Sequence, residues 1–336
     1  MEKEHKYWVD WMKAAGMLLI IWGHSFPETF TPFIYSFSVP LFFIISGYLF
    51  KRSQTFSIFF RKNLASLIVP YLILCLIKDF SHITKYYNDI PELLKLPIGV
   101  LGGFHTYLEA PAAKNLWFVY TLFIIKVIFQ ISNDNKKVLL PLTALCIAGA
   151  MICGFHDYHP MWGVTNTFLA LPYFLTGYAV SINFKEKLPK LIERIKSSNR
   201  ILAVSGIALL LVIQFLLSEL NGPAWMYKGG YGNNILLFYI LGFTGTVTSF
   251  LISALLDNVR VKAIGMISIG TMVILQFHRD LYYPLGKLVK EFAMGNISEG
   301  VLSFIASAVV LVAFIPIIML LQRYFPIMIG KRKYKQ

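Results

Sequence analysis

A chain of 336 residues that is 57% hydrophobic and only 14% charged, with a mean hydropathy of +0.63, lies outside the soluble class, in which about a quarter of residues are charged. A net charge of +14 suggests a nucleic-acid surface, but Lys and Arg stand in short clusters between apolar stretches, the pattern of cytoplasmic loops, so nucleic acid is not an expected partner. Cys75, Cys146 and Cys153 all fall inside apolar stretches, without CxxC or Cys/His ligand spacing, so neither a structural disulfide nor a metal site is expected.

Apolar runs read against charged breaks predict an all-α polytopic membrane protein of about ten transmembrane helices. The runs cover residues 10–27, 33–50, 63–79, 115–132, 138–155, 163–182, 201–218, 233–256, 263–283 and 299–325. Residues 1–336 read as a single integral membrane domain, with no loop large enough for a soluble one. With both termini in the cytoplasm, most basic residues fall inside, among them Lys13, Arg61, Lys62, Lys137 and the cluster at 185–200. Few are left outside, such as Lys78, Lys114 and Arg279.

Lys3 and Lys6 precede the first run, but it ends in His24-Ser25-Phe26-Pro27-Glu28 instead of a small-residue cleavage site, which predicts a retained first helix. That helix stops early, since a bilayer core needs about 20 apolar residues. At about 100° per residue, His24 returns to within about 20° of Lys13 and lies about 16 Å further along, with Asp10 one turn below Lys13. An acid, an amine and an imidazole therefore share one stripe. If Lys13 marks the inner interface, His24 stands near mid-membrane, where ionisable groups cost about 2.5 to 3.5 kcal/mol and face a cavity. A break at Pro27 is tolerated at that depth where the backbone lines such a cavity. A thin or tilted helix with His24 at the outer interface fits the same segment.

Further along, Ser46-Gly47 suits close packing between spans, and Lys126 is left inside one. Pro91, Pro97, Pro111 and Gly102-Gly103 break the outer segment at 80–114. Residues 183–200 space Leu188, Leu191, Ile192 and Ile195 as an amphipathic helix on the cytoplasmic leaflet. Trp117 fits an aromatic belt or a sugar-stacking face, and His278-Arg279-Asp280 an acceptor entrance or an interfacial cap. His105, Glu109, His156, Asp157, His159, Asn233 and Asn234 are further sugar-binding candidates.

Several stretches in order carry a resemblance. "VDWMKAAGMLLIIWGHS" fits an Asp-x-x-Arg/Lys-x10-His-Ser signature, and "YSFSVPLFFIISGYLF" a Pro-Leu-Phe-Phe-x-x-Ser-Gly segment. "FFRKNLASLIVPYLI", "NLWFVYTLFI", "PYFLTGYAVS" and "IGMISIGTMVILQFH" follow. Together they resemble the acyltransferase-3 family of integral membrane acyltransferases, nearest its fucose 4-O-acetylase-like branch, in which a His-Met often stands where this chain has Ser38-Val39. The resemblance implies transfer of an acetyl group from cytoplasmic acetyl-CoA to a hydroxyl of a cell-envelope glycan or lipid-linked sugar, at a bacterial inner membrane and without a metal. His24 would be the general base, supported by Lys13 and Asp10. Lys13, Arg61 and Lys62 would meet the donor phosphates, and His278, Arg279 and Trp117 the acceptor. A transporter or flippase for a lipid-linked glycan is the competing expectation.

Overall fold

The computed structural model describes residues 5–331 apart from 26, 87, 104–110, 134 and 156–160, and the described residues form helices and no strands. In chain order the α-helices are α1 Tyr7–Gly23, α2 Thr31–Tyr48, α3 Phe56–Asn63, α4 Val69–Tyr86 and α5 Ile90–Gly102. They continue with α6 Pro111–Asn115, α7 Phe118–Ser132, α8 Lys136–Phe155, α9 Val164–Asn183 and α10 Lys187–Lys196. The last are α11 Arg200–Asn221, α12 Ile235–Leu255, α13 Lys262–Ile269, α14 Thr271–Phe292 and α15 Asn296–Tyr324.

Each of the ten apolar runs coincides with a helix or a broken helix. By length and composition 6 of these elements can cross a membrane, or 7 if α9 and α10, bent by 95°, count as one span. Those that fall short of the count include helices that carry polar side chains inward. α1 has 17 residues and holds Asp10 and Lys13, and α7 has 15 residues and holds Lys126. The run at 263–283 is divided at Gly270 into α13 and α14, and α14 carries Gln276, His278, Arg279 and Asp280.

Two local features set the frame of the site. α2 crosses α9 at Gly47 and Gly177, where a Cβ would lie 2.0 Å from Phe174 O and 1.9 Å from Ile44 O respectively, so the two backbones touch. At Gly270 the chain packs on α15 so closely that a Cβ would lie 2.2 Å from Ile318 Cδ1, so a side chain at the break requires Ile318 to move. Between α3 and α4, Pro70 has no N–H to offer Ser66, and a π-helical turn over Leu64–Ile68 absorbs the slip.

The amphipathic helix expected on the leaflet surface is α10, but it turns Leu188 and Ile192 into a cluster with Trp8, Met12, Leu41 and Ala254. In the outer segment, Asp89 caps α5 through Glu92 N, Pro97 is accommodated within the helix, and Gly103 ends it with a φ of +62° that glycine adopts without strain. The three cysteines are free and buried.

Candidate active site

α1 ends one residue before His24, whose N–H still reaches Ile20 O at 3.0 Å, so the imidazole leaves the helix at its last turn. α14 brings His278 against it. His24 Nδ1 and His278 Nε2 are 2.5 Å apart, with ring centroids 4.6 Å apart and planes inclined by 14°. His278 is fully buried, and its Nδ1 lies 3.0 Å from Ile274 O and 2.9 Å from Leu275 O. Carbonyl oxygens only accept, so Nδ1 of His278 holds the proton and its Nε2 is the acceptor. His24 Nδ1 therefore donates, which leaves the Nε2 of a neutral His24 unprotonated and basic.

His24 lines a cavity of about 490 Å³. Lys13 is in its wall one helix length from His24; beside His24 the wall is built by Tyr35, Lys114, Trp225, Tyr227 and Arg279. The face of α2 contributes Ser38, Phe42 and Ser46, and α7 with its approach contributes Trp117 and Leu122. A second cavity, of about 370 Å³, shares Lys13, Thr271 and Met272 with the first and adds Asp10, Ser268 and Lys331. Thr271 and Met272, the first residues of α14 after the break at Gly270, therefore stand in the wall of both.

The residues singled out from sequence separate into groups. Lys13, His24, Trp117 and Arg279 line the larger cavity, and Asp10 lines the smaller. Asp10 contacts His5 at 2.5 Å, while Lys13 lies within its electrostatic reach. His278, read as a residue of the acceptor entrance, is instead buried behind His24. Asp280 turns away to Lys78 at 2.5 Å. Arg61 and Lys62 are exposed on α3 and line neither cavity, although Lys62 and Lys13 both lie within electrostatic reach of Lys126. Asn234 caps α12, and Asn233 donates to Leu220 O, so both serve the fold. His105, Glu109, His156, Asp157 and His159 lie outside the described residues.

Sequence reasoning left Lys126 without a role although a lone lysine in an apolar run was a signal; it lines neither cavity and lies within electrostatic reach of Lys13. It also passed over several wall residues. Tyr35 and Ser38, three apart on α2, had a helical spacing that only the position of the cavity makes meaningful. Trp225 and Tyr227 come from a glycine-rich connection with no periodicity to read. Ser38 is 1% exposed, and its Oγ has no hydrogen-bond partner among the described residues; the same holds for the buried Nε of Arg279.

Membrane-length apolar helices around a cavity, with a histidine in its wall held by a second, buried histidine, define a helical membrane protein with a polar site inside its bundle. Residues 6–322 match the family described as the acyltransferase domain, acyltransferase-3, and the chain belongs to it. It is a membrane acyltransferase. No curated protein and no solved structure matches the chain.

Proposed function

We propose that the protein transfers an acetyl group from acetyl-CoA, bound from the cytoplasmic side at the Lys13 end, to a hydroxyl of a cell-envelope glycan or lipid-linked sugar presented beside Arg279. The observation that carries this reading is the cavity that holds Lys13 and Arg279 in one wall with His24 between them, its Nε2 left basic by His278. Thioester acyl transfer needs a base for the hydroxyl proton and donors for the oxyanion, in one site.

In this mechanism His24 Nε2 accepts the acceptor hydroxyl proton as its oxygen bonds to the thioester carbonyl carbon. His278 receives the His24 Nδ1–H throughout and so positions the ring and stabilises the imidazolium, the task of an orienting group behind a general base. Ser38 Oγ, buried in the wall and without a hydrogen-bond partner among the described residues, is the donor assigned to the oxyanion. Collapse of the tetrahedral intermediate breaks the C–S bond, and the proton on His24 passes to the departing thiolate. Lys126 on α7 lies within electrostatic reach of both Lys13 on α1 and Lys62 on α3, which makes these ammonium groups, with the exposed Arg61 beside Lys62, the candidates to meet the phosphates of the donor.

The test is release of CoA thiol from acetyl-CoA by the purified protein in nanodiscs, with an envelope glycan extract of the producing organism as acceptor. Acceptor-dependent release that His24→Ala abolishes supports the reading. A folded protein that gives no release, or a variant equal to wild type, refutes it and makes glycan transport the next assay.

A further inference from the structure

α10 carries a group of charges that the reaction does not use. It is bent by 95° from α9, and only residues 197–199 separate it from α11, which is long and apolar enough to cross the membrane. A helix that leaves one span at a right angle and meets the next so soon runs along the membrane face, at the level of the headgroups. At about 100° per residue, Lys190, Arg194 and Lys187 fall within an arc of about 60°, and Leu191 follows about 40° further round. Beyond it come Ile195, Leu188 and Ile192, and Leu188 and Ile192 are buried in the cluster with Trp8 and Met12. The remaining side holds Lys196 and Glu193, which pair at 2.8 Å. Lys196 also lies 3.9 Å from Asp257, whose carboxylate accepts from Trp8 N at 2.9 Å.

The two groups of charge have different tasks. Glu193, Lys196 and Asp257 tie α10 to α12 and to the start of α1. Lys187, Lys190 and Arg194 are exposed, and among the described residues none of the three stands in an ion pair with a carboxylate. Their arc is bordered by apolar side chains that the protein leaves uncovered: Leu191 is 45% exposed, and Phe184, whose ring centre lies 5.9 Å from Lys187 Nζ, is 49% exposed. We infer that α10 binds an anionic phospholipid. Its headgroup phosphate is held by Lys187, Lys190 and Arg194, and the upper part of an acyl chain lies on Leu191 and Phe184. The guanidinium supplies paired donors that match phosphate oxygens, and the ammonium groups supply charge at the membrane surface. The apolar border sets a lipid apart from a soluble phosphate compound, which would gain nothing from it.

The experiment titrates the full chain in nonionic detergent micelles with fluorescent phosphatidylglycerol and, for comparison, with zwitterionic phosphatidylcholine. It involves no turnover, so its outcome is separate from that of the acetyltransferase reading. One Lys or Arg at an anionic surface contributes about a fivefold preference, and three of them, partly screened, give phosphatidylglycerol a Kd at least tenfold below that of phosphatidylcholine. The triple variant Lys187→Gln, Lys190→Gln, Arg194→Gln loses this preference, and Arg194→Gln alone lowers it about fivefold. A control variant, Lys287→Gln, Lys290→Gln, Arg323→Gln, removes as much charge from exposed positions on α14 and α15 and keeps the preference. Should the triple variant fail to fold, the single Arg194→Gln decides. A preference within twofold of wild type in the α10 triple variant, or unchanged in Arg194→Gln, overturns the inference. An equal loss in the control variant overturns it too, because the attraction then belongs to the net charge of the protein. Displacement of phosphatidylglycerol by free CoA or inorganic phosphate also overturns it, since the cations then serve a soluble phosphate.

Discussion

Replacing His278 with leucine tests whether the pair of imidazoles works as one base. Leucine leaves the Nδ1–H of His24 without its acceptor at 2.5 Å, in a pocket where His278 itself is fully buried. A buried donor stripped of its partner costs about 1 to 3 kcal/mol, and every 1.4 kcal/mol is about a factor of ten. If that cost falls on the tautomer with a basic Nε2, kcat drops by about tenfold to a hundredfold. Because His278 lines neither cavity, the KM values for acetyl-CoA and for the glycan stay within about twofold of wild type. His278→Gln, whose amide oxygen can accept the same proton, recovers most of the rate. The assay is steady-state CoA release in nanodiscs with both substrates varied, and His24→Ala sets the floor. In that background His278→Leu adds no further loss, since a positioning residue acts only through the group it positions. A single His278→Leu variant at wild-type kcat, or a double variant far below His24→Ala, refutes the reasoning.

Other consequences are independent of the acceptor's identity or of the base. Ala at position 177 puts its Cβ 1.9 Å from Ile44 O where ordinary contact begins at 3.4 Å, so α2 and α9 must part by the difference of 1.5 Å. A cost of about 3 kcal/mol, read as an unfolding temperature lower by about 6 °C, is expected for Gly177→Ala. The control, Gly206→Ala on α11 with nothing within 4 Å, shows no loss. Lys126→Gln raises the KM for acetyl-CoA about tenfold at constant kcat, and Lys126→Arg does not; unchanged donor kinetics would detach Lys126 from the donor site. Thr271→Trp places a bulky ring in the wall that the two cavities share and, if the donor passes there, lowers kcat/KM for acetyl-CoA at least tenfold; a fully active variant shows that the donor reaches His24 by another way. Ser38→Ala lowers kcat about a hundredfold if its hydroxyl meets the oxyanion, and a rate within threefold of wild type removes it from that role.

The helical nature of the chain and the polar stripe on α1 were legible because both are periodic: apolar runs announce spans, and a turn of about 100° per residue puts Asp10, Lys13 and His24 on one side. The partnership of His24 with His278 was not legible, since the two are far apart in sequence and nothing local to "QFHRD" distinguishes a ring at an interface from one behind a catalytic group. The break at Gly270 was hidden by the apolar residues on both sides, which continue the hydropathy signal although the helix stops. Asn233 and Asn234 looked like ligands of a sugar because exposed amides suit either task; their capping bonds are a local alternative that sequence does not choose between.

The close backbone contacts of Gly47 with Phe174 and of Gly177 with Ile44 brace one side of the reaction chamber from outside. That side is built on α2, with Tyr35, Ser38 and Phe42. The opposite side, with Thr271, Met272 and Arg279, follows the break at Gly270, which is itself seated on Ile318 of α15. The chamber is therefore a vice with both jaws backed. Retailoring it for a bulkier acyl chain means trimming side chains that face the chamber, such as Phe42, Met272 or Leu275, because moving either helix would press on a seam behind it.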